Sequence, residues 1–411
     1  MVSLGLMRAL RERGLRVAPF KCGPDYIDTQ FHTTACCGVP GINLDLFMAS
    51  TAAVRALYAR HLAEADVAVI EGAMGLYDGY RHDTGSAADV ARTLGVPVVA
   101  VIDGASTAFT AGAVIYGLSH FRQGITLAGV IFNRASSPRH RAMLADAARE
   151  AGVECLGFIS RRRDLQTPSR HLGLTLTGHS AMERFVAEAA KAVAEGVNID
   201  RLIELTGSAR PDASAIRYPA PHSRVAVARD EAFSFIYEAN LNSLRLHGVE
   251  PVFFSPLRDQ NLPPDADMLY LPGGYPELFA ADLEANGSMR RSIRDMARRG
   301  GRILGECGGL IYLCERIDGA KMCGVLPLTA TMEDARLTLG YRTIEIDDRL
   351  TLRGHEFHYS RLVNAAGLPS VARQSDALGN AVDTPLYRQD NTIAGYTHLY
   401  WGETDINRLW K

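Results

Sequence analysis

The chain has 411 residues, 47% of them hydrophobic, and a formal net charge of −2. That length suits two globular domains with separate cores, and the near-neutral balance gives no reason to expect nucleic acid or an anionic membrane as partner. No apolar run approaches the ~20 residues that span a bilayer, the N-terminus turns charged at Arg8, Arg11 and Arg13 unlike a signal peptide, and the 7 cysteines, odd in number and without zinc-like spacing, fit a reduced cytoplasmic setting.

In chain order, a helical pattern opens at once, with Val2, Leu6, Met7 and Leu10 on one face and neither strand nor cap before it. A strand over Arg16–Pro19 leads into Phe20-Lys-Cys-Gly-Pro-Asp-Tyr-Ile-Asp28, where Asp25 and Asp28 sit in a turn made by Gly23-Pro24. Their chemistry serves turn formation as well as ligand binding. Val67-Ala-Val-Ile70 is a buried strand that delivers Glu71 at its C-terminal end, within Glu71-Gly-Ala-Met-Gly-Leu-Tyr-Asp-Gly79. Open α/β sheets bind ligands at that end, and an acidic residue there commonly holds Mg2+ directly or through water. The competing reading of Glu71 is a helix-capping acid. Further strands at Val96–Ile102 and Leu127–Phe132, with a helix over Ser137–Ala151, complete an alternation that argues for a parallel sheet. Arg161-Arg-Arg163 reads as a solvated face, and Cys36-Cys37 as small packing residues.

Gly207 to Ser223, with Pro211, Pro219 and Pro221, reads as a linker. A second alternation follows: strands at Arg224–Ala228, Pro251–Phe254 and Met268–Leu271, and a helix over Ser234–His247. The fold class is therefore α/β, two doubly wound domains spanning about 1–207 and 222–411.

Chemistry concentrates in the second domain. Arg302-Ile-Leu304 is a short strand, Gly305-Glu-Cys-Gly-Gly309 a tight turn, and Leu310–Leu313 the start of a helix. Strand, turn with a reactive side chain, helix is the layout of a nucleophile elbow. The helix N-terminal end favours the thiolate of Cys307. A buried, inert cysteine is the alternative. His398, in Tyr396-Thr-His-Leu-Tyr400, is a candidate base, with His355 and His358 of Gly354-His-Glu-Phe-His-Tyr-Ser360 as rivals, carboxylate ligands or supports. Leu271-Pro-Gly-Gly-Tyr-Pro-Glu277 follows a strand and can supply oxyanion donors from Gly273 and Gly274. Arg298-Arg299 suit the negative end of a helix.

No segment fits the phosphate-binding Gly-x-x-x-x-Gly-Lys-Ser/Thr. The sequence reads as one that starts one strand and one phosphate loop late, so that its first parallel sheet lacks a central strand.

At these motifs the sequence resembles the cobyrinic acid a,c-diamide synthase family over essentially its whole length. The carriers are Phe20–Asp28, Asn43-Leu-Asp45, Glu71–Gly79, Gly305–Gly309, Gly354–Ser360 and Thr397-His-Leu399. The resemblance implies a dethiobiotin-synthetase-like N-terminal domain fused to a class I glutaminase domain. It implies Cys307 as nucleophile and His398 as its base, in preference to His355 or His358. It places Asp25, Tyr26, Asp28, Asp45, Glu71 and Asp78 around ATP, Mg2+ and the corrinoid carboxylate, with Glu71 on the metal. The expected reaction is ATP- and glutamine-dependent amidation of the a and c side chains of cobyrinic acid, by a cytoplasmic enzyme for which a homodimer is one expected assembly. Two departures stand out. The family's phosphate loop has no counterpart before Val2, and Tyr400 occupies the position where class I glutaminases carry Glu, so no third triad member is assigned. The alternatives are a sibling amidotransferase, acting on Ni-sirohydrochlorin or making cobyric acid, and a non-catalytic corrinoid-binding or scaffold protein.

Overall fold

Each apolar run read above forms a strand, and each lies in a sheet. The structure is a computed structural model that describes the chain apart from residues 136, 163–164, 166–168, 171–172, 175–178, 208–216, 347–348 and 364–366. Two compact units divide the chain: Met1–Leu46 with Ser50–Ala215, and Phe47–Ala49 with Ile216–Lys411. Most of the expected linker, and Arg163 of the arginine run, fall outside the described residues.

The first unit runs α1 (Val2–Glu12), β1 (Val17–Cys22), α2 (Ile27–Ala35), β2 (Ile42–Leu44), α3 (Thr51–Leu62), β3 (Val67–Glu71), α4 (Ala87–Leu94), β4 (Val98–Asp103), α5 (Ala111–His120), β5 (Leu127–Asn133), α6 (Pro138–Glu150), β6 (Cys155–Ile159), α7 (His179–Gly196) and α8 (Ile199–Thr206). Local signals set the helix limits. Ser50 and Ser137 cap α3 and α6 through their side chains, Pro138 stands in the first turn of α6, and Gly95 ends α4 with a φ of 67°. The strands make two three-stranded parallel sheets, β2-β1-β3 and β4-β5-β6, rather than one continuous sheet. α1 packs on α7, and one apolar cluster joins them to α2, β1, β5 and β6. Val2, Leu4, Met7 and Leu10 of α1 are buried in it, whereas Leu6 is half-buried.

The second unit begins with β7 (Ser223–Ala228), α9 (Glu238–Leu246), β8 (Val249–Phe254), β9 (Met268–Leu271), a 3-10 turn at Pro276–Phe279 and α10 (Gly287–Arg298). β10 (Arg302–Glu306) and α11 (Gly308–Leu313) follow. The later strands are β11 (Thr338–Ile346), β12 (Leu350–His358), β13 (Arg373–Ser375), β14 (Ala381–Val382), β15 (Leu386–Gln389), β16 (Thr392–Gly395) and β17 (Thr397–Tyr400). The main sheet has the order β8-β7-β9-β10-β16-β15, parallel except for the edge strand β15. Beside it lies an antiparallel sheet, β14-β13-β11-β12-β17, which the sequence reading did not foresee. This unit is thus a parallel sheet with an antiparallel annex rather than a simple doubly wound domain.

All seven cysteines are free. Cys36 is a packing residue as expected, but Cys37 is exposed and holds a left-handed φ of 55°. Arg162 pairs with Glu188 at 2.5 Å, so the arginine run is not wholly a solvated face. α10 ends at Arg298, capped by Arg299, where the helix pole is negative.

Candidate functional site

The main sheet of the second unit delivers Cys307 at the C-terminal end of β10. Its φ of 48° and ψ of −103° are strained for a residue with a side chain, at a cost on the order of 1–3 kcal/mol. The Cys307 N–H donates to Gly395 O at 2.8 Å, which carries the β10–β16 ladder one residue past the strand. Gly308 lets the elbow close. A Cβ there would come within 3.0 Å of Gly274 N and 2.9 Å of Pro276 Cδ. Gly273 seats the histidine, because any Cβ at that position would run into His398 Cε1. The loop after β9 therefore touches the Cys307 turn through Gly274 and His398 through Gly273. A third tie is Glu306, whose carboxyl accepts from Leu399 N at 3.2 Å and from the Tyr270 hydroxyl at 2.8 Å. Gly273 thus lies against His398, and Gly274 against Gly308, the residue after Cys307.

The electrostatics differ from the expectation. Burial pushes the Cys307 thiol well above its ordinary range, and the carboxyls of Glu277 and Glu356 push it further. The Gly308 N–H opposes this, but α11 has only six residues, and its end does not outweigh burial. The thiol donates to Phe357 O at 3.6 Å. His398 is 1% exposed, and burial holds it well below the ordinary imidazole range, helped by His355 and His358. Both shifts run against the preformed thiolate read from the helix pole.

The rival histidines are sorted by their contacts. His358 bonds Glu356 at 2.8 Å and Ser360 O at 2.8 Å, and its ring stacks on Tyr396 at 3.7 Å. It is a hydrogen-bonded support. Glu356 is buried and also binds Arg342 at 2.5 Å and Thr384 at 3.0 Å. His355 faces His398 across the β12–β17 pair, and burial lowers it to about 4. Tyr400 is buried against Tyr237.

In the first unit, β1 and β3 run parallel with Lys21 opposite Glu71, so both reach the C-terminal edge together. Lys21 is 5% exposed, lies 2.5 Å from Asp28 and 4.0 Å from Glu71, and donates to Gly72 O at 3.3 Å. A lysine buried to that degree is rare without a partner or a task. His32, fully buried on α2, meets Glu71 Oε2 at 2.5 Å. Burial raises Glu71, but the His32 hydrogen bond and the Lys21 charge outweigh it and hold the carboxyl at about 2. Asp25 accepts from Ile27 N at 2.8 Å and Asp28 N at 3.0 Å, which makes it a turn former. Asn43 closes the same turn by donating to Gly23 O and Asp25 O. Tyr26 and Asp45 are buried nearby in the chain, at 6% and 3% exposure. Asp78 braces its own loop by accepting from Gly75 N at 2.9 Å. Lys21 and His32 escaped the sequence reading, which searched the turn for carboxylates. The signal available was a lysine at the end of an otherwise apolar strand.

Comparison with known proteins agrees with this division. Residues 1–174 match a CobQ/CobB/MinD/ParA nucleotide binding domain, and residues 224–406 a CobB/CobQ-like glutamine amidotransferase domain. The chain is 38% identical over 408 residues to hydrogenobyrinate a,c-diamide synthase of Rhizobium meliloti (strain 1021), covering 97% of this chain and 95% of that protein. It is 38% identical over 426 residues to cobyrinate a,c-diamide synthase of Dehalococcoides mccartyi (strain CBDB1), covering 98% and 92%. The hydrogenobyrinate enzyme of Rhodobacter capsulatus matches at 40% over 419 residues, covering 98% and 95%. Among the described residues no helix is long and apolar enough to cross a membrane.

Proposed function

This chain belongs to the a,c-diamide synthase family, a nucleotide-binding domain joined to a glutamine amidotransferase domain, and from that premise we propose that it amidates the a and c acetate side chains of a cobyrinate-type corrinoid with glutamine and ATP. The observation that carries the glutaminase half is Cys307, held in a strained turn whose neighbouring loop also seats His398.

Neutral partners suit the first step. The Cys307 sulfur attacks the γ-amide carbon of glutamine as the His398 imidazole takes the thiol proton. The N–H groups of Gly273 and Gly274 meet the oxyanion that forms. Collapse breaks the C–N bond, the imidazolium returns its proton to the leaving nitrogen, and ammonia departs. Water then attacks the thioester, and glutamate leaves as the thiol is restored.

A carboxylate does not accept ammonia in water unless it is activated. In the other half a corrinoid carboxylate oxygen attacks the γ-phosphorus of ATP and ADP leaves. Ammonia attacks the acyl phosphate carbon, phosphate departs, and the nitrogen loses a proton. Mg2+ would spread the charge on the transferring phosphoryl group. Glu71 fits it as one hard, ionised oxygen donor, since Mg2+ commonly takes one or two protein carboxylates and fills its shell with phosphate oxygens and water. Lys21 and Asp28 add a charged pair at the same edge, suited to orienting phosphate and carboxylate groups.

The test is Cys307→Ala assayed with a corrinoid, ATP and either nitrogen donor. Glutamine-driven amidation should fall below detection while ammonia-driven amidation persists. Equal loss of both in a folded variant would sink the division of labour.

A further inference from the structure

One carboxyl beside the nucleophile is not used by the steps above. Glu277 lies on the 3-10 turn Pro276–Phe279, directly after the Gly273-Gly274 loop. That turn packs against α11, the helix that starts one residue after Cys307, and Pro276 is the residue that stands against Gly308. The Glu277 carboxyl is near enough for its charge to raise the Cys307 thiol.

Its surroundings set it apart from the other two acids of the site. Glu306 is satisfied by Tyr270 and Leu399 N, and Glu356 by Arg342, His358 and Thr384. Among the described residues, the half-buried Glu277 bonds its own backbone N–H and pairs with no Lys, Arg or His nitrogen. Burial alone lifts its carboxyl to about 7. A partly desolvated carboxyl without a counter-charge carries a cost, which is offset when a cationic ligand arrives. The ligand of this site carries such a group. In glutamine the α-ammonium stands three carbon–carbon bonds and one carbon–nitrogen bond from the amide carbon that Cys307 attacks.

We infer that Glu277 receives the α-ammonium group of glutamine and so selects the amino acid over amides that lack that charge. The inference rests on the glutaminase reading. No bond forms or breaks in it, since the ammonium and the carboxylate meet as an ion pair.

The test compares two amide donors on the full chain: glutamine, and glutaramate, which is glutamine without its α-amino group. Glu277→Gln should raise the KM for glutamine about ten- to a hundredfold, the range of a hydrogen bond to a charged group. The kcat/KM for glutaramate should stay within about threefold, so that the preference for glutamine collapses. Glu277→Asp keeps the charge and should recover part of that preference, which covers the case of a Gln variant that folds poorly. Equal losses on both donors would overturn the inference by assigning Glu277 to the thiol or the fold. An unchanged KM for glutamine would overturn it as well. Failure of the underlying reading looks different, because Cys307→Ala would then still hydrolyse glutamine.

Discussion

The two candidate sites handle charge in opposite ways. Around Cys307 the protein stores neutrality: burial raises the thiol, lowers His398, and lifts Glu306 to about 8. Around Glu71 it stores charge: a buried lysine and a buried histidine hold the carboxyl ionised down to about pH 2. The contrast follows from what each site must meet. Glutamine brings an uncharged amide, so charge develops only during the reaction and fixed dipoles can answer it. A nucleotide and a carboxylate bring charge with them, and an ionised, already paired cluster meets them without first recruiting protons.

The largest test of this contrast is His398→Asn. With no basic ring nitrogen to take the thiol proton, glutamine hydrolysis should fall about 10²- to 10⁴-fold, as read by glutamate release. If hydrolysis survives within a factor of a few, His355 or another group is the base. Next, Glu71→Gln should lower amidation about a hundredfold with either glutamine or ammonia, while glutamate release continues. A parallel loss of glutamate release would mean that the two sites are not separable. The smallest effect is on stability. Glu306 is raised from its ordinary value to about 8, chiefly by burial, so the folded chain holds a proton that the unfolded chain releases above about pH 4.5. Stability from this group is therefore full at low pH and declines as pH rises from about 4.5 to about 8, by at most ~1.4 kcal/mol per pH unit. Glu306→Gln removes the titration and should flatten that decline by on the order of 1–2 kcal/mol between about pH 5.5 and about pH 7.5 in urea unfolding. Parallel pH curves for the two proteins would show that Glu306 is not neutral in the fold.

The same contrast explains what could be read from the sequence. The elbow is a local object: glycines on both sides of Cys307, a strand before and a helix after, all within one stretch of chain. The oxyanion loop is equally local. Strands such as Val67–Glu71 announce themselves as unbroken apolar runs. The state of the thiol is not local, since it depends on how deeply the sheet and its neighbours bury it. β12 escaped notice because Leu350–His358 mixes arginine, glutamate and two histidines with its apolar residues, and reads as a loop until it pairs with β11 and β17. The Glu71 cluster was half legible. Its acid stands at a strand end, but His32 lies 39 residues away on a helix and Lys21 on the neighbouring strand. Parallel pairing, not sequence distance, joins them.

One small feature bears on how these experiments are run. Of the seven thiols, Cys37 is exposed and Cys155 half-buried, while Cys307 is enclosed and donates its proton to a carbonyl. A small alkylating or disulfide reagent added to the native chain will modify Cys37 first and leave the nucleophile silent, because access favours the exposed site and burial raises the Cys307 thiol. Stoichiometric labelling is thus a poor gauge of a competent enzyme, and a background with Cys37→Ser and Cys155→Ser turns the same reagent into a cleaner reporter of access to Cys307.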